Sequence, residues 1–277
     1  SDGAVLSFGL ESADPRVHEA NWLNCDPAQL KTAIRLINKH GSVRGERGLP
    51  KLLPGLNFIA GLNGETEATY GMNMALLRDI RNEGLLLRRI NIRQVEGEGF
   101  QEVPSNAFTS FKNTCRDEID KPLLEELFPL GQIIHDVHWE SHDGRTRLPV
   151  HETERHRAPE VHGKAGITFG RQIGAYPILV GVEYKIPLET QSSVMITGHG
   201  ARSITGVELD MNPLTVTEKQ LEAIPGIGKK SAWALISARV KAMRKQPQGF
   251  AFEDTGAWFS SAGVAWDEQF EPMFHLD

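Results

Sequence analysis

The chain has 277 residues, a formal net charge of −6, 40% hydrophobic residues and 24% charged residues. This composition is typical of a globular protein, and the negative charge argues against a protein that binds polyanions over its whole surface. No apolar run reaches the roughly 18 residues of a membrane span, and the first residues lack a signal-peptide pattern, so we expect a cytoplasmic protein with no membrane partner. The two cysteines, Cys25 and Cys115, do not suggest a disulfide framework.

The chain begins with a strand pattern followed by a helix pattern. Val5–Leu10 is a short apolar run that ends at a polar turn. Asp26 is a plausible helix cap before Pro27, and helical spacing then continues until Gly41. The glycine- and proline-containing stretch Ser42–Gly55 is interpreted as an exposed loop.

A second strand–helix unit is centred on the Gly61–Thr66 turn, which has the sequence GLNGET. The apolar run 56–59 before it predicts a buried strand, and Thr66 is the expected cap of a helix that ends at Gly84. The glycines would let the backbone approach a ligand, and the helix would direct free N–H groups toward it. Leu85–Val95 then alternates apolar and polar residues, which predicts another strand.

A third helical pattern covers Phe108–Phe128, so residues 1–130 contain three strand–helix units. Such units predict an α/β domain of parallel strands joined by right-handed crossovers. Because three parallel strands alone leave hydrophobic faces and edges uncovered, we interpret the domain as the C-terminal half of a TIM-like barrel. Ligands of such barrels bind where the strands end, here at Gly9–Ser12, the Gly61–Thr66 turn and Arg93–Gln94.

The two turns resemble the second half of the radical S-adenosylmethionine (radical SAM) enzymes. In the branch that contains the tRNA methylthiotransferases, a strand ending like SFGLESADP is followed by one ending in a GFPGET-like turn; here Asn63 stands where proline is usual. The resemblance covers about residues 4–130. It implies a set of S-adenosylmethionine-binding residues: Glu11 and Ser12 at its polar groups, Ile59, Gly61 and Leu62 around its adenine, and Glu65 in the turn.

One feature of that family is missing. The CxxxCxxC loop that holds its [4Fe–4S] cluster is absent, and Cys25 and Cys115 cannot hold a cluster by themselves. We therefore expect this chain alone to be inactive, with the cluster carried by an N-terminal half of the barrel. Either that half was removed from this chain, or the chain is a degenerate relative of the family that lacks it. The abrupt start at a strand favours removal.

Residues 131–210 predict a small antiparallel β-barrel, because short β-like runs alternate with glycine- and proline-containing turns. The runs are Ile133–Trp139, Ile178–Val182, Val194–Thr197 and Ser203–Val207. Residues 163–208 resemble a TRAM-type, OB-like barrel, a module that binds RNA in methylthiotransferases, and this implies that Arg171 and Arg202 contact phosphates. Nearby glutamates nearly cancel the basic charge, so a purely structural barrel remains an alternative.

A cluster of histidines lies in this region, at positions 135, 138, 142, 151, 156 and 162. A zinc site is one interpretation. On a strand, however, His135 and His138 point to opposite faces, and no cysteine is near. We therefore interpret them as solvated or locally hydrogen-bonded and predict no metal site.

Residues 211–277 contain two helical patterns separated by the sequence PGIGKKSA. Thr217 is the expected cap of the first helix. The second carries four large apolar residues at helical spacing, Trp233, Ile236, Val240 and Met243. Residues 218–245 contain seven Lys or Arg and two Glu, a local charge of +5. The aromatic residues beyond Phe250 are expected to pack against these helices.

Residues 217–243 resemble a helix-hairpin-helix motif. The resemblance implies that Gly226 and Gly228 form a tight hairpin whose N–H groups contact a phosphate, with Lys229 and Lys230 adding charge. Such a contact would position nucleic acid without reading its sequence. The alternative is a hairpin that only packs against protein.

Together these features predict the C-terminal portion of a radical SAM enzyme that acts on nucleic acid, with RNA favoured over DNA. It would supply part of the S-adenosylmethionine pocket and the modules that hold the substrate. The alternative from another class is a non-catalytic nucleic-acid-binding protein with an α/β scaffold. A third is a metabolic α/β barrel whose Gly61–Thr66 turn holds a substrate phosphate.

Overall fold

A computed structural model describes residues 2–142, 166–174, 177–245 and 252–275. The chain forms two compact units: the first extends to residue 129, and the second comprises residues from 130 onward apart from 174–176. Within the described ranges, every helix is too short or too polar to cross a membrane.

The first unit is an α/β unit with a three-stranded sheet. The strands pair in the order β1-β2-β3, and both pairs are parallel, which confirms the predicted parallel sheet. Its elements are β1 (Ala4–Glu11), α1 (Pro15–Asn21), α2 (Pro27–Gly41), β2 (Leu52–Ala60), α3 (Glu67–Asn82), β3 (Arg89–Gln94), α4 (Ser105–Cys115) and α5 (Lys121–Leu127).

The two faces of this sheet differ in chemistry. One face packs against the helices in a single buried cluster, to which the strands contribute Leu10, Leu56, Phe58, Ala60 and Ile90. Because strand side chains alternate between faces, the intervening positions lie on the opposite face, and they include the polar residues Asn57, Arg89 and Asn91. There the Arg89 side chain donates to Asn91 at 2.6 Å, and Asn91 donates to Asn57 at 2.9 Å. A hydrogen-bonded polar layer therefore lines this face.

Two local predictions for the first unit need correction. The predicted loop Ser42–Gly55 is too long, because β2 already begins at Leu52. Pro54 is tolerated in this strand because it faces β3 just before β3 begins; its carbonyl accepts from the Arg88 N–H at 2.9 Å. The predicted helix Phe108–Phe128 is interrupted by a π-helical turn, Arg116–Asp120.

The π-helical turn has a physical reason, since Pro122, two residues after it, cannot donate the N–H that a regular helix needs there. Helix α1 had not been predicted. The signal for it was present in the sequence, because Asp14 followed by Pro15 is the same cap-and-proline pair that starts α2.

The second unit contains a closed five-stranded barrel with the order β4-β5-β6-β8-β7. Its strands are β4 (Ile133–Ser141), β5 (Thr168–Gln172), β6 (Leu179–Val182), β7 (Gln191–His199) and β8 (Ser203–Glu208). The predicted barrel is confirmed, but it is not wholly antiparallel, because β6 and β8 pair in parallel. Strand β5 had not been predicted; its sequence is short and contains Gly170, which would meet the backbone of His138 if it carried a side chain.

The rest of this unit is helical: α6 (Glu218–Ala223), α7 (Lys229–Met243), α8 (Thr255–Ser261) and a 3₁₀ helix (Glu268–Met273). The predicted aromatic packing is present; Trp258 is fully buried, donates to the Leu235 carbonyl at 2.8 Å and contacts Phe259 edge to face. Ala232 and Leu235 form the buried side of α7, whereas Trp233 of the predicted apolar stripe is 64% exposed.

Candidate functional site

The carboxyl end of β1 has an unusual backbone. Glu11 has φ = 63°, in the left-handed region that non-glycine residues rarely adopt, and the Ser12 N–H donates to the Leu10 carbonyl at 2.8 Å around it. The pairing register with β2 shifts at the same place. Such strain concentrates at binding and active sites. The Glu11 side chain is therefore the first group to consider as a ligand contact.

Glu11 also carries an unsatisfied oxygen. Its Oε2 is buried and has no hydrogen-bond partner among the described residues. Burial raises the pKa of the Glu11 carboxyl, and the positive charge of Arg93 partly opposes this rise. A buried carboxylate oxygen without a donor is costly, so this atom is suited to accept a hydrogen bond from a ligand.

Glu11 lines an open pocket of about 610 Å³ at the β1 edge of the sheet. Phe8 and Leu30 give the pocket apolar surface, and Cys25 also lines it. On its rim is Trp22, whose side chain is 89% exposed. A flat heterocycle that carries hydroxyl groups would fit this pocket. The indole and the apolar residues could contact its ring, and the Glu11 carboxylate could accept from a hydroxyl.

The segment after Glu11 is bonded directly to the Gly61–Thr66 turn and the helix it opens. Thr69 donates its hydroxyl to Asp14 at 2.6 Å, and the Ala13 N–H donates to Asn73 at 2.7 Å. Farther along, the Asn21 side chain donates to the Asn63 carbonyl at 2.8 Å and accepts from its N–H at 3.2 Å. These bonds fix the end of β1 against the turn after β2, and so bring the two sequence motifs together.

Asp14 is the central group of that contact. It caps α1 and accepts from the backbone N–H and guanidinium of Arg16, which lower the pKa of Asp14 to about 2 together with the Thr69 hydroxyl. The side chain is fully buried although Arg16 is half exposed. Asp14 therefore works as a structural anchor of the site.

The Gly61–Thr66 turn is held from inside by Glu65. The carboxylate of Glu65 accepts from the Gly61 N–H at 2.9 Å and from the Tyr70 hydroxyl at 3.0 Å. The Gln101 side chain also bridges the turn, donating to the Glu65 carbonyl and accepting from the Gly64 N–H. These bonds make the turn a rigid edge.

The residues assigned to S-adenosylmethionine thus lie in different environments. Glu11 presents a free acceptor, and Ile59 is half-buried on the polar face of the sheet. Ser12, Gly61, Leu62 and Glu65 are buried, and the Gly61 N–H and carbonyl are both used within the protein. Trp22 was missed, because its sequence neighbours give no indication that a tryptophan would be solvent-exposed there.

The PGIG hairpin in the second unit is compact and open to solvent on one side. Gly226 has φ = 91°, Ile227 is buried, and the Ile227 N–H donates to the Ile224 carbonyl at 3.0 Å. Gly228 begins α7 without a side-chain cap, and nothing lies within 4 Å of where its Cβ would be. Its neighbours Lys229 and Lys230 are exposed. The first N–H groups of α7 therefore lack a side-chain cap at an uncrowded helix start, a geometry that can accept an anion.

The barrel offers less basic surface than predicted. Arg171 forms an ion pair with Glu140, which reduces its availability to a phosphate, while Arg202 is exposed in the turn between β7 and β8. His135 bonds Ser193 and His142 bonds the Ile186 carbonyl, and no group of metal-ligating side chains occurs in the described part of the chain. The histidines at 151, 156 and 162 lie outside the described residues.

The chain is similar to two curated archaeal proteins, both of them uncharacterized. It is 38% identical over 234 residues to a protein of Archaeoglobus fulgidus, covering 81% of this chain and 40% of the relative. It is 35% identical over 217 residues to a protein of Methanocaldococcus jannaschii, covering 74% and 36%. The chain therefore spans about two fifths of the length of these relatives. No family model matches it.

Proposed function

We propose that this chain is the C-terminal portion of a radical SAM enzyme that modifies nucleic acid, RNA in preference to DNA. The observation that carries the proposal is the end of β1, where a strained acid with an unsatisfied buried oxygen lines a pocket at the β1 edge of the sheet. The family resemblance assigns the adenosyl group to the carboxyl end of the same sheet, and of the residues that it assigns, Glu11 lines this pocket.

The first unit is proposed to be part of a larger barrel. Parallel sheets are normally covered on both faces, yet one face here carries the polar layer of Asn57, Arg89 and Asn91. Moreover, β1 is an edge strand with no proline or lysine, and its Leu6 is 48% exposed. Natural edge strands usually carry such protective residues. A preceding strand of a longer protein, like the longer archaeal relatives, would cover this edge.

The residues of the site fit one cofactor of the family and not the other. The spare Glu11 oxygen suits a ribose hydroxyl, and Trp22 offers a stacking surface for a purine. An iron–sulfur cluster needs a set of thiolates, whereas Cys115 is 1% exposed in the core and leaves Cys25 alone. The rest of the barrel would therefore have to hold the cluster, which supplies the electron that cleaves S-adenosylmethionine.

The second unit is proposed to hold the substrate. The barrel order, with its first, second, third, fifth and fourth strands as neighbours and a parallel third–fifth pair, resembles an OB-fold, a common nucleic-acid-binding barrel. The exposed hairpin lysines add a phosphate contact. If only this unit were functional, the chain would be a non-catalytic nucleic-acid-binding protein, which is the competing proposal.

The cofactor half of the proposal is tested by binding of S-adenosylmethionine, measured by isothermal titration calorimetry. We expect weak, millimolar binding, because only part of the pocket is present. Glu11→Gln should weaken it by about tenfold or more, since a hydrogen bond to a charged group is worth roughly 1.5–3 kcal/mol. Glu189→Gln is the matched control, because Glu189 has a similar φ of 62° but is exposed in the other unit. Equal binding by both variants, or none by the native chain, would contradict the assignment.

The nucleic-acid half is tested by binding of RNA and duplex DNA across a salt series. We expect Lys229→Ala combined with Lys230→Ala to weaken binding and to reduce the salt slope by roughly 1–2, because each phosphate contact contributes about 0.7–0.9. Lys39→Ala with Lys121→Ala, two exposed lysines of the first unit, is the control. An unchanged slope in the hairpin variant would show that the hairpin does not contact phosphate.

A further inference from the structure

Trp233 is placed unlike the other tryptophans of the second unit. Trp139 and Trp258 are fully buried, and Trp266 packs against Phe259 with ring centroids 5.0 Å apart. Trp233, in contrast, is 64% exposed on α7. A large aromatic side chain that is exposed on a helix packed on its other side is free, within the described residues, to contact a partner.

The charge around Trp233 indicates what kind of partner this surface suits. Lys229 and Lys230 precede it by four and three positions, so all three side chains share one face of α7. Farther along, Lys241 and Arg244 are exposed, and α7 contains no acidic residue. The chain as a whole carries a net charge of −6, so this helix is a local basic surface with an aromatic residue in it. Charge complementarity therefore favours a polyanion over a hydrophobic protein partner.

The geometry of nucleic acid restricts what Trp233 can contact. In a continuous duplex the base faces are stacked on one another, so an indole on a helix surface cannot reach them. In a single strand the faces are available, and stacking on an aromatic side chain is the usual way in which proteins hold them. The two lysines one turn away would contact the phosphates of the same strand.

We propose that the α7 surface formed by Lys229, Lys230 and Trp233 binds single-stranded nucleic acid, with an unpaired base stacked on the Trp233 indole. This inference rests on the proposed function, because it needs nucleic acid as the partner, and it deepens it by naming the strand state. The hairpin module is then selective for unpaired segments, such as loops and ends, although a phosphate contact alone would accept any backbone.

The test compares a 12-nucleotide oligouridine with a 12-base-pair RNA duplex, using fluorescence anisotropy of labelled strands. We expect Trp233→Ala to weaken binding of the single strand by about 5- to 150-fold, the range for loss of one stacked base, with little change in the salt slope. Trp233→Phe should retain most of the affinity, and duplex binding should change less than about twofold. Val240→Ala, which alters another exposed apolar residue of α7, is the matched control.

The outcomes distinguish failure of the proposed nucleic-acid function from failure of the stacking inference alone. If the native chain binds neither strand at low salt, the nucleic-acid function itself fails. Suppose instead that the native chain binds and that its salt slope depends on Lys229 and Lys230. If Trp233→Ala then has no effect, or weakens binding of the single strand and the duplex equally, only the stacking inference is overturned. An unchanged affinity for RNA in Trp233→Ala is also what a protein partner on this surface would give. Circular dichroism checks that the variants are folded, as expected for an exposed residue.

Discussion

Asp14→Ala is expected to lower the free energy of unfolding of the first unit by roughly 2–4 kcal/mol at neutral pH. The substitution removes the cap of α1 and leaves the Thr69 hydroxyl without its buried acceptor, and each loss is typically worth 1 kcal/mol or more. We expect the two units to unfold separately, so the stability of the first unit should be measured within that unit. Hydrogen exchange of the α3 amides reports the first unit alone.

Asp26→Ala is the matched control for this variant. Asp26 also caps a helix before a proline, accepting from the Ala28 N–H at 2.6 Å, but it is exposed and has no partner like Thr69 among the described contacts. Its loss should cost about 1 kcal/mol. Equal destabilisation by the two variants would contradict the anchoring role of Asp14.

The effect of Asp14 should also depend on pH in a defined direction. The pKa of Asp14 falls from the usual aspartate value of 3.8 to about 2 on folding, so the folded state favours the ionised form. The stabilisation is therefore complete above about pH 4 and is lost as the pH falls toward 2. The difference in the free energy of unfolding between the native chain and Asp14→Ala should therefore become smaller as the pH falls from about 4 to about 2. A difference that does not change with pH would contradict this linkage.

Gly61→Ala is expected to have the second large effect, a loss of roughly 3–5 kcal/mol from backbone strain and overpacking together. Gly61 has φ = 98°, and a Cβ there would lie 2.5 Å from the Val95 carbonyl oxygen. Since the Gly61 N–H and carbonyl are both bonded within the protein, the backbone cannot easily rotate away. The same α3 amides should lose protection from exchange.

Gly84→Ala separates the two causes. Gly84 has φ = 70°, yet nothing lies within 4 Å of where a Cβ would be. Gly84→Ala therefore introduces backbone strain without a steric clash. It should cost only about 1–2 kcal/mol. If Gly61→Ala were no worse than Gly84→Ala, the close approach of Val95 would not constrain the turn.

The sequence predicted those parts of the fold that depend on local patterns. The caps at Asp26, Thr66 and Thr217 and the helices that they begin are where periodicity and capping chemistry indicated. The parallel sheet followed from the alternation of strands and helices. These features are set by neighbours within a few residues, which is why a single chain suffices to find them.

Features set by distant partners could not be predicted in this way. Glu65 looked available to a ligand, but its carboxylate and the surrounding turn are engaged by Tyr70 and by Gln101, 36 positions away. Ser12 is buried for a similar reason, because the segment it begins packs on α3. The strain at Glu11 likewise depends on the shifted register between β1 and β2.

Selection for thermal stability alone would act on Glu11 in one direction. A glycine there would relieve the left-handed backbone and remove the buried acceptor, so it should be gained readily whenever the pocket is not in use. Under the proposed function, an acid at this position trades stability for ligand contact. In a variant library, glycine at position 11 is then expected in chains that keep the fold but no longer bind S-adenosylmethionine.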